Sequence, residues 1–205
     1  MTDSLKNLYR IKRKDISKAS RVLAEAFQDD PVWTHLIPDE DLRREKLPIV
    51  FAFITRYSLH YGEIYSPTEA IEGIAIWIPD KYVEQTFWRV LRSGAIFLGL
   101  KIGNTLGKNL SQALDPIDAD RKENIKPPYV YLQALGVSPK FQGQGFGSKL
   151  LRSMFERLDS NNIPIYLETE TEKNVTIYKK LGFKVVKEGI LHNLDFYIWE
   201  MIRTS

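Results

Sequence analysis

Gly143, Gly145 and Gly147 stand at alternate positions in the segment from Val137 to Gly147, between an apolar run and an amphipathic one. Glycine lets the backbone approach a ligand closely and turn successive N–H groups to one side. Joined to the positive end of a following helix, such a loop makes an anion site suited to a pyrophosphate. An ordinary glycine-rich strand–helix turn would look the same. Two familiar phosphate loops fit poorly. A dinucleotide fingerprint needs G-x-G-x-x-G, yet the sixth position is Ser148 counted from Gly143 and Leu150 counted from Gly145. Glu168 does stand where a ribose-binding acid would be sought, but too little chain follows for a doubly wound sheet. A P-loop closes on Gly-Lys-Ser/Thr, and here the order is Gly147-Ser148-Lys149.

The pattern that fits is Q-x-x-G-x-G, read as Gln142, Gly145 and Gly147 after Leu135-Gly136-Val137-Ser138-Pro139. It resembles the acetyl-CoA motif of the Gcn5-related N-acetyltransferases. A second stretch resembles that superfamily's later motif: Asn174, then Tyr178 four residues on, then Leu181-Gly182-Phe183. Leu167-Glu168-Thr169 sharpens the likeness, which is nearest to puromycin N-acetyltransferase-like bacterial members. The resemblance is close over Tyr129–Lys187 and loose before it.

That resemblance implies a mixed, mostly antiparallel sheet whose central parallel strands, Tyr129–Val137 and Ile163–Glu170, splay apart. The pantetheine arm of acetyl-CoA would pair with the backbone of Leu135 and Val137, and an N–H near Leu135 would meet the developing oxyanion. Gln142, Gly143, Gln144, Gly145, Phe146, Gly147 and Ser148 would hold the pyrophosphate, and Asn174 the pantetheine. The Tyr178 hydroxyl would meet the sulfur. A phenol titrates at about 10 and a thiol at about 8.5, so tyrosine can protonate a departing thiolate. Without the resemblance, Tyr178 reads equally as a buried aromatic under the Leu181-Gly182-Phe183 helix stop.

An amine must lose its proton before it attacks. Period two puts Tyr166, Glu168 and Glu170 on one side of their strand and Ile165, Leu167 and Thr169 on the other. Glu168 is the more interior acid, and burial would raise its pKa toward a useful value. It is either the base or a structural carboxylate capping a nearby loop. Glu170 and Glu172 are expected at the strand's mouth, where they could attract a cation. His35, His60 and His192 have no metal-ligand spacing, and no metal is expected. Trp33, Trp77, Trp88 and Trp199 read as core, though Trp33 follows Asp29-Asp30-Pro31 in a loop that the family places near the acceptor.

These residues need elements to hold them. Leu8–Lys12 alternates as a first strand, and Asp15 can cap a helix with Ala19, Val22, Leu23, Ala26 and Phe27 on its apolar face. A second helical region follows Pro38-Asp39, with Pro48 kinking it or starting a new helix. Glu63–Ser66 and Ile71–Ile78 read as a hairpin. Val83 to Ile102 predicts one amphipathic helix, and 104–124 a mixture of helix and loop, so 80–128 is a helical insertion between the third and fourth strands. After the fourth strand come a helix through Leu150–Leu158, a fifth strand, a short helix over Val175–Leu181, and strands at Phe183–Lys187 and Leu194–Ile202. One α/β domain over 1–205 is expected.

The 205 residues are 43% hydrophobic and 27% charged, an ordinary globular balance, and the formal charge is only +3 with interspersed signs. No nucleic-acid partner is therefore expected. The absence of cysteine excludes disulfides, thiolate metal sites and a cysteine acyl-enzyme. The polar start does not read as a secretory signal, and no apolar run reaches the roughly 20 residues of a membrane span. The expectation is a cytoplasmic monomer or homodimer with no membrane partner. It would use acetyl-CoA to acetylate a primary amine of a small molecule by direct transfer. The alternatives are a protein or peptide acceptor, or a non-catalytic coenzyme A-binding regulatory module.

Overall fold

A short first strand, β1 (Tyr9–Arg10), leads into α1 (Ile16–Ala26), α2 (Pro31–Leu36) and α3 (Glu40–Tyr61). The hairpin β2 (Glu63–Ser66) and β3 (Gly73–Pro79) follows, then three helices, α4 (Phe87–Ser93), α5 (Ile96–Ile102) and α6 (Asn104–Asn124). The last part holds β4 (Val130–Val137), α7 (Phe146–Asp159), β5 (Ile165–Thr169), α8 (Glu172–Lys180), β6 (Lys184–Leu191) and β7 (Phe196–Arg203). These come from a computed structural model that describes residues 4–191 and 196–205. The strands form one seven-stranded sheet in the order β1-β2-β3-β4-β5-β7-β6. Every neighbouring pair is antiparallel except the central pair β4–β5.

Alternation along the strands divides the core in two. Ile74, Ile76 and Ile78 of β3 pack with Leu23 of α1 and with Leu47 and Phe51 of α3 on one face. Ala75 and Trp77 point the other way, toward Leu150, Leu151 and Met154 of α7. α1 lies close on β4: a Cβ on Gly136 would sit 3.0 Å from both Ala26 Cβ and Leu23 Cδ2. Glycine is what permits that approach.

Helix starts follow the capping rules. Asp30 accepts from the Val32 N–H at 3.0 Å with Pro31 in the first turn, Asp39 from Leu42 at 2.7 Å, and Thr171 from Asn174 at 3.3 Å. Several expectations need correcting. Asp29-Asp30-Pro31 ends α1 but opens α2, so Trp33 lies on a short helix rather than a loop. No new helix begins at Pro48, because α3 runs unbroken through it. Buried Leu47, Val50 and Phe51 offset the one lost backbone bond. The single helix expected from Val83 to Ile102 is two, broken where Gly94 takes φ +74° and closes α4. Residues 104–124 form one helix despite Pro116. β1 is shorter than expected, β5 ends at Thr169, and β6 extends to Leu191. Leu194 and His192 lie outside the described residues. Trp88 is not a core residue but 73% exposed.

Candidate functional site

β4 and β5 pair only at Val130↔Ile165 and Tyr131↔Tyr166. Beyond that point β4 stays with β3 as far as Gly73↔Val137, while β5 stays with β7 as far as Thr169↔Trp199. The sheet therefore opens at its centre. The Ser138 N–H donates to Glu72 O at 2.9 Å, on the β3 side. Backbone groups alternate sides along a strand, so those of Gly136 also face β3 while those of Leu135 and Val137 face the opening. The parity confirms itself at Val137, whose carbonyl accepts from Gln142 Nε2 at 3.1 Å rather than from β3.

The glycine loop leaves this end of β4. Gly143 has φ +78° and Gly145 φ +83°, and a Cβ at either would meet nothing within 4 Å. Left-handed geometry explains glycine there, and the space above both is open. Gly145 is the N-cap of α7, so the first N–H groups of a 14-residue helix point out of the loop. Gly147 lies at that helix's start, where a Cβ would make ordinary contact with Val137 at 3.7 Å and Leu135 at 3.9 Å. Gln144 Nε2 bonds the Lys140 carbonyl at 3.3 Å, so both glutamine amides brace the loop from within. Phe146 is edge-on to Phe141 at 6.1 Å, and Ser148 is exposed. The cradle is a backbone one.

On the other side of the opening, Tyr166 and Glu168 share one face of β5 with a polar cluster. Arg121 of α6 reaches Glu168 at 3.4 Å, with side chains only 4% and 6% exposed. It also pairs with Asp118 and lies 5.1 Å over the Tyr131 ring. Tyr166 Oη donates to buried Glu200 at 2.7 Å, and Asn124 Nδ2 donates to the same carboxylate at 2.9 Å. Burial pushes Glu168 up to about 7, against the opposing charge of Arg121 and a hydrogen bond from Tyr131. A carboxylate held there can take and release a proton near neutrality. It caps no loop.

Glu170 lies just past the end of β5, partly buried. Burial first, then the charges of Asp30 and Glu168, raise its pKa. Asp30 is raised as well, by burial, although it caps α2. The two share a site in which one proton is favoured. Tyr178 of α8 packs edge-on to Phe183 at 5.4 Å, and its hydroxyl is pushed up by burial and then by the charge of Glu170. Asn174 is one turn earlier on the same helix, partly buried. Glu172 opens that helix, exposed.

The structure thus gathers Glu168, Glu170, Asp30 and Tyr178 into one electrostatic neighbourhood, with the glycine loop at the end of the adjoining strand. Arg121, Tyr131, Glu200 and the role of Asp30 were missed by sequence reasoning. Asp30 did carry a signal, as a charged residue before proline at a helix junction; the others carried none. A cleft of about 600 Å³ lies between α2 and α6, lined by His35, Leu36, Asn109, Gln112 and Asp115 among others. His60 is edge-on to Tyr61 at 4.6 Å. Among the described residues, no group of three or more His, Asp or Glu could hold a metal ion.

Comparison with known proteins bears on the family and the fold. The family described as "Acetyltransferase (GNAT) domain" matches residues 103–185. An uncharacterized N-acetyltransferase of Schizosaccharomyces pombe is 30% identical over 180 residues, covering 85% of this chain and 72% of the relative. In fold, the chain is similar to a histone acetyltransferase and related acetyltransferase from Corynebacterium glutamicum, with TM-score 0.67, 22% identity, and 97% and 96% of the two chains covered. It is also similar to a mosquito arylalkylamine N-acetyltransferase-like protein, with TM-score 0.56, 12% identity, and 97% and 99% covered.

Proposed function

Because this chain belongs to the GNAT family of N-acetyltransferases, we propose that it moves the acetyl group of acetyl-CoA onto a primary amine of a small molecule, within one ternary complex. The observation that carries this reading is the opening of the sheet beside the glycine loop, with buried Glu168 on its far wall. The backbone left facing the opening at Leu135 and Val137, and the empty ground above Gly143 and Gly145, fit an extended pantetheine and its pyrophosphate. Acetyl-CoA supplies a thioester whose carbonyl carbon the amine attacks and whose sulfur leaves.

The residues divide the remaining work. N–H groups of Gly143–Ser148 and the start of α7 hold the pyrophosphate, with Gln142 and Gln144 fixing the loop's shape and Phe146 its packing. Asn174 binds the pantetheine arm. The Leu135 N–H meets negative charge as it grows on the acyl oxygen. Glu168, titrating near 7, accepts the ammonium proton. Tyr178 keeps its proton at neutral pH and donates it as charge develops on sulfur. With no cysteine for a covalent intermediate, initial-rate plots against both substrates should intersect.

A small acceptor is favoured by the cleft between α2 and α6, which opens beside the helix that Asp30 caps. The likeness to an arylalkylamine acetyltransferase supports it, while the histone acetyltransferase of similar fold supports a protein acceptor as the second reading. A panel of arylalkylamines, polyamines, puromycin and peptide N-termini, assayed for coenzyme A release, separates them. Fastest turnover on a small amine is expected. Turnover confined to peptides would favour the second reading, and tight acetyl-CoA binding without turnover would contradict both.

A further inference from the structure

The helices between β3 and β4 carry a surface that acetyl transfer does not use. On α4, Phe87, Trp88 and Leu91 are 61%, 73% and 44% exposed, and on α5 Phe97 and Leu100 are 71% and 69% exposed. Soluble surfaces scatter large apolar residues singly; five on two consecutive short helices are a patch. At 100° per residue, Phe87, Leu91, Trp88 and Arg92 form one stripe of α4, and Leu100, Phe97 and Lys101 one stripe of α5. The opposite faces rest on α3. Arg56 Nε donates to Ser93 O at 3.3 Å, and a Cβ on Gly99 would touch Phe53 at 3.5 Å. Both stripes therefore turn away from α3.

Charge says what covers them. Between Glu84 and Asp115 the chain has no acidic residue and four basic ones, Arg89, Arg92, Lys101 and Lys108. Arg89 and Arg92 also line a cleft of about 480 Å³ with Trp88, Tyr61 and Tyr82, where guanidinium groups stand beside aromatic rings. That is a setting for a phosphate head group. A second copy is a poor occupant, since a two-fold interface sets each patch on itself and faces Arg92 and Lys101 with like charges.

We propose that the α4–α5 corner is a peripheral docking face for an anionic lipid surface. Phe87, Trp88, Phe97 and Leu100 enter the head-group boundary while the basic residues attract the surface charge. No described helix is long and apolar enough to cross a membrane. Lying on one requires none. α3, on which the corner rests, and α7 with its glycine loop cover opposite faces of the sheet, so docking leaves the loop open.

The test is cosedimentation of the whole chain with phosphatidylcholine vesicles, alone or with about 30% phosphatidylserine. Binding to the anionic vesicles should exceed that to neutral ones by about tenfold, and fall severalfold in high salt. Trp88→Ala with Phe97→Ala should abolish it. Arg92→Ala with Lys101→Ala should weaken it and reduce the salt dependence, with Arg89 and Lys108 left in place. All four side chains are exposed, so thermal melting should not move. Equal binding of wild type to both vesicles, or full binding by the Trp88/Phe97 variant, would overturn the proposal. So would a stable dimer that this variant breaks.

Discussion

The two faces of β5 carry opposite kinds of order. On one, Ile165 and Leu167 join an apolar cluster with Leu150, Leu151, Met154 and Met201, where only shape and area matter. On the other, Tyr166 and Glu168 meet Arg121, Tyr131 and Glu200, where each group's state depends on its neighbours' charge. A strand's period of two makes this division available at no cost in backbone. The apolar face holds the strand in place, and that rigidity lets the polar face keep a carboxylate buried at a useful pKa.

Changes confined to one face should leave the other's property intact. Leu167→Ala should show the largest effect, a loss of about 2–5 kcal/mol from a buried leucine, with the pH midpoint of activity unmoved. Denaturant melts and pH–rate profiles check the two halves of that statement; a shifted midpoint would join the faces. Tyr178→Phe keeps the ring against Phe183 and removes only the hydroxyl. Turnover should fall by about 10²–10³ with little change in acetyl-CoA affinity, and full turnover at saturating acceptor would remove Tyr178 from the chemistry. Gly145→Glu should weaken acetyl-CoA binding more than about tenfold by calorimetry, whereas Gly145→Ala carries the same backbone strain without the charge and should weaken it less. Equal losses would make the effect conformational.

The smallest effect concerns stability. Glu168, Asp30 and Glu170 all have raised pKa values in the folded chain. Between the carboxylate's ordinary value and the raised one, the native state binds more protons than the unfolded state, so these groups make stability fall as pH rises through that window. Glu170→Gln should flatten the fall between about pH 4.5 and 8, as followed by urea midpoints. An unchanged slope would place Glu170 in water.

What could be read from residue order followed from local rules. The glycine loop, the Asn174–Tyr178 spacing and the alternation of β5 each rest on contacts or periods within a few residues. The α4–α5 break was hidden because Val90, Leu91, Leu98 and Ile102 keep helical spacing across Gly94, and that apolar period outweighed the local glycine stop that closes α4. The polar cluster was hidden for a different reason. Arg121 and Glu168 are 47 residues apart, and nothing in the run around Arg121 marks it as a buried ion-pair partner. Trp88 was misplaced because hydrophobicity alone does not distinguish a core residue from one awaiting a partner.

The central claim is that Glu168, on the polar face, takes the proton that makes the amine a nucleophile. The pH dependence of kcat/KM for wild type and Glu168→Gln, with an acceptor confirmed by the amine panel, tests it most directly. The wild type should show an acid limb with its midpoint near 7, where burial places Glu168. In the variant that limb should vanish, and activity should climb with pH until the deficit narrows as the amine sheds its own proton. The same midpoint near 7 in Glu168→Gln would contradict the account, because the titrating base would then be another group.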